Sequence, residues 1–192
     1  MKLCVETDRL ILRALDESSC DMVLSFLCKG KDIFEKYEMA RPPLYYTPMY
    51  QKSILAQEYT ATLSNRYVRY YVFLKDDPSV VIGTVSCGSI IGEPYCCGTM
   101  GYKFDKDYWH KGYAREALRA VIEEIFQEIK LHKLIAYVME GNMPSIELLE
   151  AVLEAPRFHR IGLSFYQNVL IPEEETQFSA VTFFLEDGSA FL

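Results

Sequence analysis

The chain has 192 residues, half of them hydrophobic, and a formal net charge of −7. That length fits a single domain (1–192) with a sizeable core, and the acidic balance argues against a nucleic-acid partner, which needs a broad basic face. No apolar run approaches the ~18 residues of a membrane span, and MKLCVETDRL lacks the apolar stretch of an export signal, so the expectation is a cytoplasmic protein with no membrane partner.

In chain order, Val5–Leu15 alternates as a first strand, and Asp16 is an N-cap for a helix through about Cys28. Residues 32–64 are helical in character but broken at Arg41-Pro42-Pro43 and Pro48, which predicts two or three helices rich in tyrosine. Val68–Lys75 and Val80–Ile91 read as strands around the turn Asp76-Asp77-Pro78, followed by Tyr95–Phe104. A long amphipathic helix repeats apolar residues at Ala114, Leu118, Val121, Ile122, Ile125, Phe126 and Ile129. Lys133–Met139 is a short buried strand, Pro144–Glu154 a helix, and Phe158–Leu170 and Phe178–Leu185 two closing strands around an acidic turn. The pattern is mixed α/β without internal repeats. Cys4, Cys20, Cys28, Cys87, Cys96 and Cys97 have no zinc-type C-x₂-C spacing, so free thiols and no metal are expected.

The segment Tyr108-Trp109-His110-Lys111-Gly112-Tyr113-Ala114 separates a strand from the long helix. Such a junction leaves main-chain N–H groups unpaired and aimed outward, an anion site that the helix dipole reinforces. Residues 103–119 hold five cations (Lys103, Lys106, Lys111, Arg115, Arg119) against three anions (Asp105, Asp107, Glu116), a local +2 on an acidic chain. That balance suits a small phosphorylated ligand.

Three segments carry a resemblance: Glu6-Thr7-Asp8-Arg9-Leu10-Ile11-Leu12-Arg13; Gly101-Tyr102 with Tyr108 through Ala114; and Asn142-Met143-Pro144-Ser145 before the apolar Ile146, Leu148 and Leu149. Together they resemble the GNAT superfamily of N-acetyltransferases, in the branch of the ribosomal-protein N-terminal acetyltransferases and spermidine acetyltransferases. The resemblance implies an α/β fold with a mixed, mostly antiparallel central sheet, splayed fourth and fifth strands, and flanking helices. It implies acetyl-CoA as co-substrate, its pyrophosphate held by His110, Lys111, Gly112, Tyr113, Ala114 and Arg115. The pantetheine arm would lie against Tyr102, Lys103 and Phe104 on one strand and Ala136–Met139 on the other, with Asn142 bonding from the far side. Asn142 could equally be only a helix cap.

For catalysis the resemblance implies Ser145 near the coenzyme A sulfur, and a backbone donor for the thioester oxygen at a bulge near Thr99–Gly101. Gly98 and Gly101 fit either a bulge or close packing. Two usual side chains are replaced: Thr99 stands where a glutamate base is common, and Leu149 where a tyrosine acid is common. Glu93 is the nearest carboxylate in sequence that could act through water. The last helix also lacks the usual Gly-Phe exit, reading Leu153-Glu154-Ala155-Pro156-Arg157-Phe158.

The expected activity is acetyl transfer from acetyl-CoA to a primary amine by direct attack in a ternary complex. The alternatives are a non-catalytic acyl-CoA-binding or sensing module and a protein-interaction domain built on the aromatic helices; a nucleoside-triphosphatase lacks its G-x-x-x-x-G-K-[ST] motif. An acidic protein with tyrosines between Glu35 and Tyr59 would attract a cationic acceptor, a small-molecule amine or a protein N-terminus. Phe178, Val181, Phe183 and Phe184 could pair between subunits of a homodimer or fill the core.

Overall fold

The structure, a computed structural model, describes residues 1–38, 41–131, 133–139, 141–153, 163–165 and 179–186, with side chains described only as far as residue 152. Its strands are β1 Cys4–Glu6, β2 Leu10–Arg13, β3 Val68–Leu74, β4 Gly83–Ile91, β5 Cys97–Phe104, β6 Lys133–Met139, β7 Leu163–Phe165 and β8 Ser179–Glu186. The helices are α1 Cys20–Tyr37, α2 Pro48–Leu63, α3 Tyr113–Glu128 and α4 Met143–Leu153. The strands form one sheet in the order β1-β2-β3-β4-β5-β6-β8-β7, with every neighbouring pair antiparallel except β5–β6. This is the mixed, mostly antiparallel α/β sheet flanked by helices that the resemblance implies.

Strand alternation sends successive side chains to opposite faces, so the sheet builds two cores. On one face Leu10, Leu12, Tyr70, Val72 and Val85 pack with Leu118, Ile122 and Ile125 of α3 and Leu149 and Val152 of α4. On the other, Tyr71 and Phe73 pack with Phe26 and Phe34 of α1 and Leu55 of α2. Leu149 is fully buried in the first core, so its side chain is structural.

Four expectations are corrected. The single first strand is two strands, because Thr7 makes a tight turn: its N–H donates to Leu10 O and its Oγ1 accepts from Leu10 N, both at 3.0 Å. Asp16 caps a single 3₁₀ turn (Glu17–Ser19) that leads into α1. The helix then continues to Tyr37, since Val23, Phe26, Leu27, Gly30 and Phe34 keep one face buried past Cys28. The bulge lies in β4, where Ser89 and Ile90 face one residue of β5, and not at Thr99–Gly101; β5 runs in regular register with β4 from Thr99 to Phe104. The strand expected at 158–170 is described only as β7, and the helix exit at 154–160 lies outside the described residues. β8 pairs along its length with β6 of the same chain. The side chains of Phe178, Val181, Phe183 and Phe184 lie outside the described set. All six cysteines are free thiols, and among the described residues no helix is long and apolar enough to cross a membrane.

Gly98 reflects close packing: a Cβ there would come within 2.7 Å of Cys87 Sγ and 3.0 Å of Leu131 Cδ1. Gly→Ala at an unstrained site stabilises by roughly 0.4–1 kcal/mol through the unfolded chain. Overpacking costs about 1–3 kcal/mol. Gly98→Ala should therefore lower stability in chemical denaturation, and adding Cys87→Ala should recover part of the loss. A midpoint that rises in the single variant would contradict this packing.

Candidate active site

β5 and β6 pair only from Cys97↔Lys133 to Met100↔Ala136. Beyond that point Gly101–Phe104 and Tyr137–Met139 no longer pair with each other. The gap opens into a cleft of about 570 Å³ lined by both edges, the 108–115 loop, the start of α4 and the end of α1.

At one end stands the N-terminus of α3. Its cap residue is Gly112 at φ 79°, and His110 also has a positive φ of 57°. Two left-handed residues in one loop curl successive N–H groups toward a common side. Among the described residues, the amides of His110 through Ala114 make no hydrogen bond. Arg9 anchors the loop: its Nη1 donates to Lys111 O (3.0 Å), and its guanidinium stacks over Tyr113 at 4.6 Å. Glu116 fixes Arg9 in turn, accepting from Arg9 N (3.0 Å), Arg9 Nε (2.7 Å) and Thr7 Oγ1 (2.6 Å). Trp109 Nε1 donates to Phe104 O at 2.9 Å, tying the loop to the end of β5.

Most of the residues expected to hold the coenzyme line this cleft: Tyr102, Lys103, Phe104, His110, Gly112, Tyr113, Ala114, Arg115 and Asn142. Lys111 does not; its Nζ turns back to Asp107 O at 2.8 Å, so any part it has in anion binding is through its amide. Asn142 caps α4, its Oδ1 accepting from Ser145 N at 3.4 Å, and it also lines the cleft. The two readings of this residue are compatible.

Ser145 Oγ lies 2.6 Å from Tyr102 OH in the cleft wall. Burial raises the Tyr102 hydroxyl well above the ordinary phenol range, and the bond to Ser145 offsets only part of this. The tyrosine therefore keeps its proton at neutral pH. Sequence reasoning assigned Tyr102 to coenzyme packing and missed this pairing; the Gly101-Tyr102 dipeptide gave the position but not the partner.

On the other face of the sheet, the α1 end of the cleft is lined by Tyr37, Glu38, Arg41, Tyr45, Arg69 and Lys103. Glu38 receives Lys103 Nζ on both oxygens, at 2.7 and 2.8 Å. Burial pulls the Lys103 ammonium below its ordinary value, and the Glu38 carboxylate offsets only part of that. Glu58, raised by burial and partly held down by Arg69, accepts Arg69 Nη1 at 3.0 Å. Glu93 is exposed and does not line the cleft, so the carboxylate suggested by proximity in sequence is not at the site. Glu38 and Glu58 were not singled out from sequence, because nothing local distinguishes them from other helical glutamates.

Several tyrosines of this region have cation partners within the chain. The rings of Tyr37, Tyr45 and Tyr46 already lie under cations of this chain: Lys36 at 5.1 Å, Arg41 at 5.2 Å and Lys31 at 4.8 Å respectively.

The comparisons agree with this geometry. The acetyltransferase (GNAT) domain family matches residues 9–152. The chain is 31% identical over 153 residues to the probable N-acetyltransferase YjcK of Bacillus subtilis, covering 80% of this chain and 82% of that one. The ribosomal-protein-S5-alanine acetyltransferase of Vibrio fischeri superposes with a TM-score of 0.85 at 21% identity, covering 97% of this chain and 98% of that one. RimJ of Mycobacterium smegmatis, solved with CoA-disulfide, superposes with a TM-score of 0.78 at 17% identity, covering 95% and 84%.

Burial alone would raise Glu116, but its hydrogen bonds from Thr7 and Arg9 hold it below the ordinary carboxylate value. A depressed carboxyl adds stability that is present above its unfolded-state value and lost as pH falls through the lower folded-state one. The stability difference between wild type and Glu116→Gln should therefore be larger at about pH 7 than at about pH 3. A gap independent of pH in urea titrations would contradict it.

Proposed function

The chain belongs to the GNAT family of acetyltransferases, and from that premise we propose that it moves the acetyl group of acetyl-CoA to a primary amine by direct attack in a ternary complex. The observation that carries this reading is the set of unbonded amides from His110 to Ala114, opening onto a gap between two diverging strands. Amides at a helix N-terminus favour a diphosphate. The gap where β5 and β6 part suits the amide-containing pantetheine arm, which can join a sheet as a strand does. The Nδ2 group of Asn142 remains for the same arm while its Oδ1 caps α4.

The reaction needs a neutral nitrogen, a polarised carbonyl and a proton for the thiolate. The amine attacks the thioester carbon, the oxyanion collapses, and the C–S bond breaks with its electrons on sulfur. The Tyr102–Ser145 hydroxyl pair donates the proton to that sulfur and regains one from water, burial keeping the tyrosine protonated between turnovers. Thr99 has no basic group, so the proton lost by the amine passes to water in the open acceptor half of the cleft.

Gly112→Glu should weaken coenzyme A binding by at least ~10-fold, since a carboxylate meets the diphosphate and L residues resist this φ. Unchanged affinity by calorimetry would remove the loop from the site. Ser145→Ala and Tyr102→Phe should each lower kcat by about 10²-fold or more, the scale of a lost general acid. The KM for acetyl-CoA should change little. Equal turnover in both variants would clear the pair of that role.

A further inference from the structure

We propose that the acceptor end of the cleft is an anion-binding subsite, in which Arg41, Arg69 and Lys103 receive a carboxylate or phosphate carried by the amine that is acetylated. This rests on the transfer reading above and names the class of its acceptor.

The charge count comes first. Among the described residues the lining cations of this half are Arg41, Arg69 and Lys103, against the lining carboxylate of Glu38. Counting the neighbours behind this wall, Glu58 on Arg69, Glu35 on the Arg41 amide and Lys31 beside Glu35, the described residues give four cations against three anions on a protein whose net charge is −7. A polyamine entering here would meet like charge, and the tyrosine rings that could hold it already carry the chain's own Lys31, Lys36 and Arg41.

The donors come second. Arg69 gives Nη1 to Glu58 and Nη2 to the Tyr67 hydroxyl, while its Nε is buried and bonded to nothing among the described residues. Arg41 meets Glu38 only at 3.6 Å, beyond good hydrogen-bond length, and rests over Tyr45 with its guanidinium half-exposed. A guanidinium fork matches a carboxylate or phosphate with two parallel bonds, so the spare donors of Arg41 are of the kind such a group takes. Lys103 is held by Glu38 on one side and lies 5.1 Å from the Phe34 ring, so it adds a fixed positive charge to the same wall.

Binding to protein saturated with free coenzyme A tests the subsite without turnover. The matched probes are β-alanine against β-alaninamide and 2-aminoethyl phosphate against ethanolamine, with spermidine as the cationic control. Within each pair the anionic amine should bind at least ~10-fold tighter, the scale of one charge-assisted hydrogen bond. The two pairs tell carboxylate from phosphate. Arg41→Gln should remove most of that preference while leaving coenzyme A affinity unchanged. Equal binding within both pairs, tighter binding of spermidine, or a preference untouched by Arg41→Gln would overturn the proposal. Thiol release from acetyl-CoA, measured with the same amines, separates the two claims. Release with amines of every charge alike leaves transfer standing and removes the subsite. A charge preference in binding with no release supports the subsite and removes the transfer.

Discussion

The grip of Glu116 on Arg9, and of Arg9 on the carbonyl of Lys111, is the constraint on which the active half of this molecule depends. A loop with two left-handed residues and unbonded amides is costly to hold open, because its donors would otherwise find water or fold inward. Here the turn before β2 supplies Arg9, the first turn of α3 supplies Glu116, and Thr7 adds a hydroxyl to the same carboxylate. Glu116 also sits where a negative charge is favoured by the helix dipole. The anion site is thus organised by contacts that leave the cleft side of the amides clear.

The second organising feature is where β5 and β6 part. Pairing as far as Met100↔Ala136 keeps the sheet whole, and divergence afterwards opens a slot through it. Tyr102 and Lys103 are neighbours on β5 and so point to opposite faces. Tyr102 meets Ser145 on the α4 side, and Lys103 meets Glu38 on the α1 side. One dipeptide therefore lines both halves of the cleft: the α4 side with a hydroxyl pair, the α1 side with a charge pair.

How much of this was legible in the sequence follows from the range of the interactions. α3, β6 and α4 were readable to within about two residues because periodicity and caps are local. The Arg9 motif was recognisable, but its reason was not, since its partners lie 107 and 102 residues away along the chain. Tyr102–Ser145 spans 43 residues and Lys103–Glu38 spans 65, so neither pairing had a local signal. The split of the first strand turned on one hydroxyl of Thr7, which closes a local turn and is also held by Glu116; the continuation of α1 past Cys28 turned on the buried Gly30–Phe34 face, which is decided by tertiary packing. The bulge was assigned to the wrong strand because glycines in β5 read as distortion when Gly98 instead makes room for Cys87. The cationic-acceptor expectation came from net charge and the tyrosines between Glu35 and Tyr59; the proposed anionic group rests instead on the local lining of Arg41, Arg69 and Lys103.

The central claim is that free amides at the start of α3 hold the diphosphate of the coenzyme. Titration of isotope-labelled protein with coenzyme A, followed through backbone amide resonances, tests it most directly. The account predicts the largest downfield shifts at His110 through Ala114, with the same amides far less affected by a pantetheine analogue lacking the diphosphate. Saturable binding that leaves those five resonances in place would contradict it.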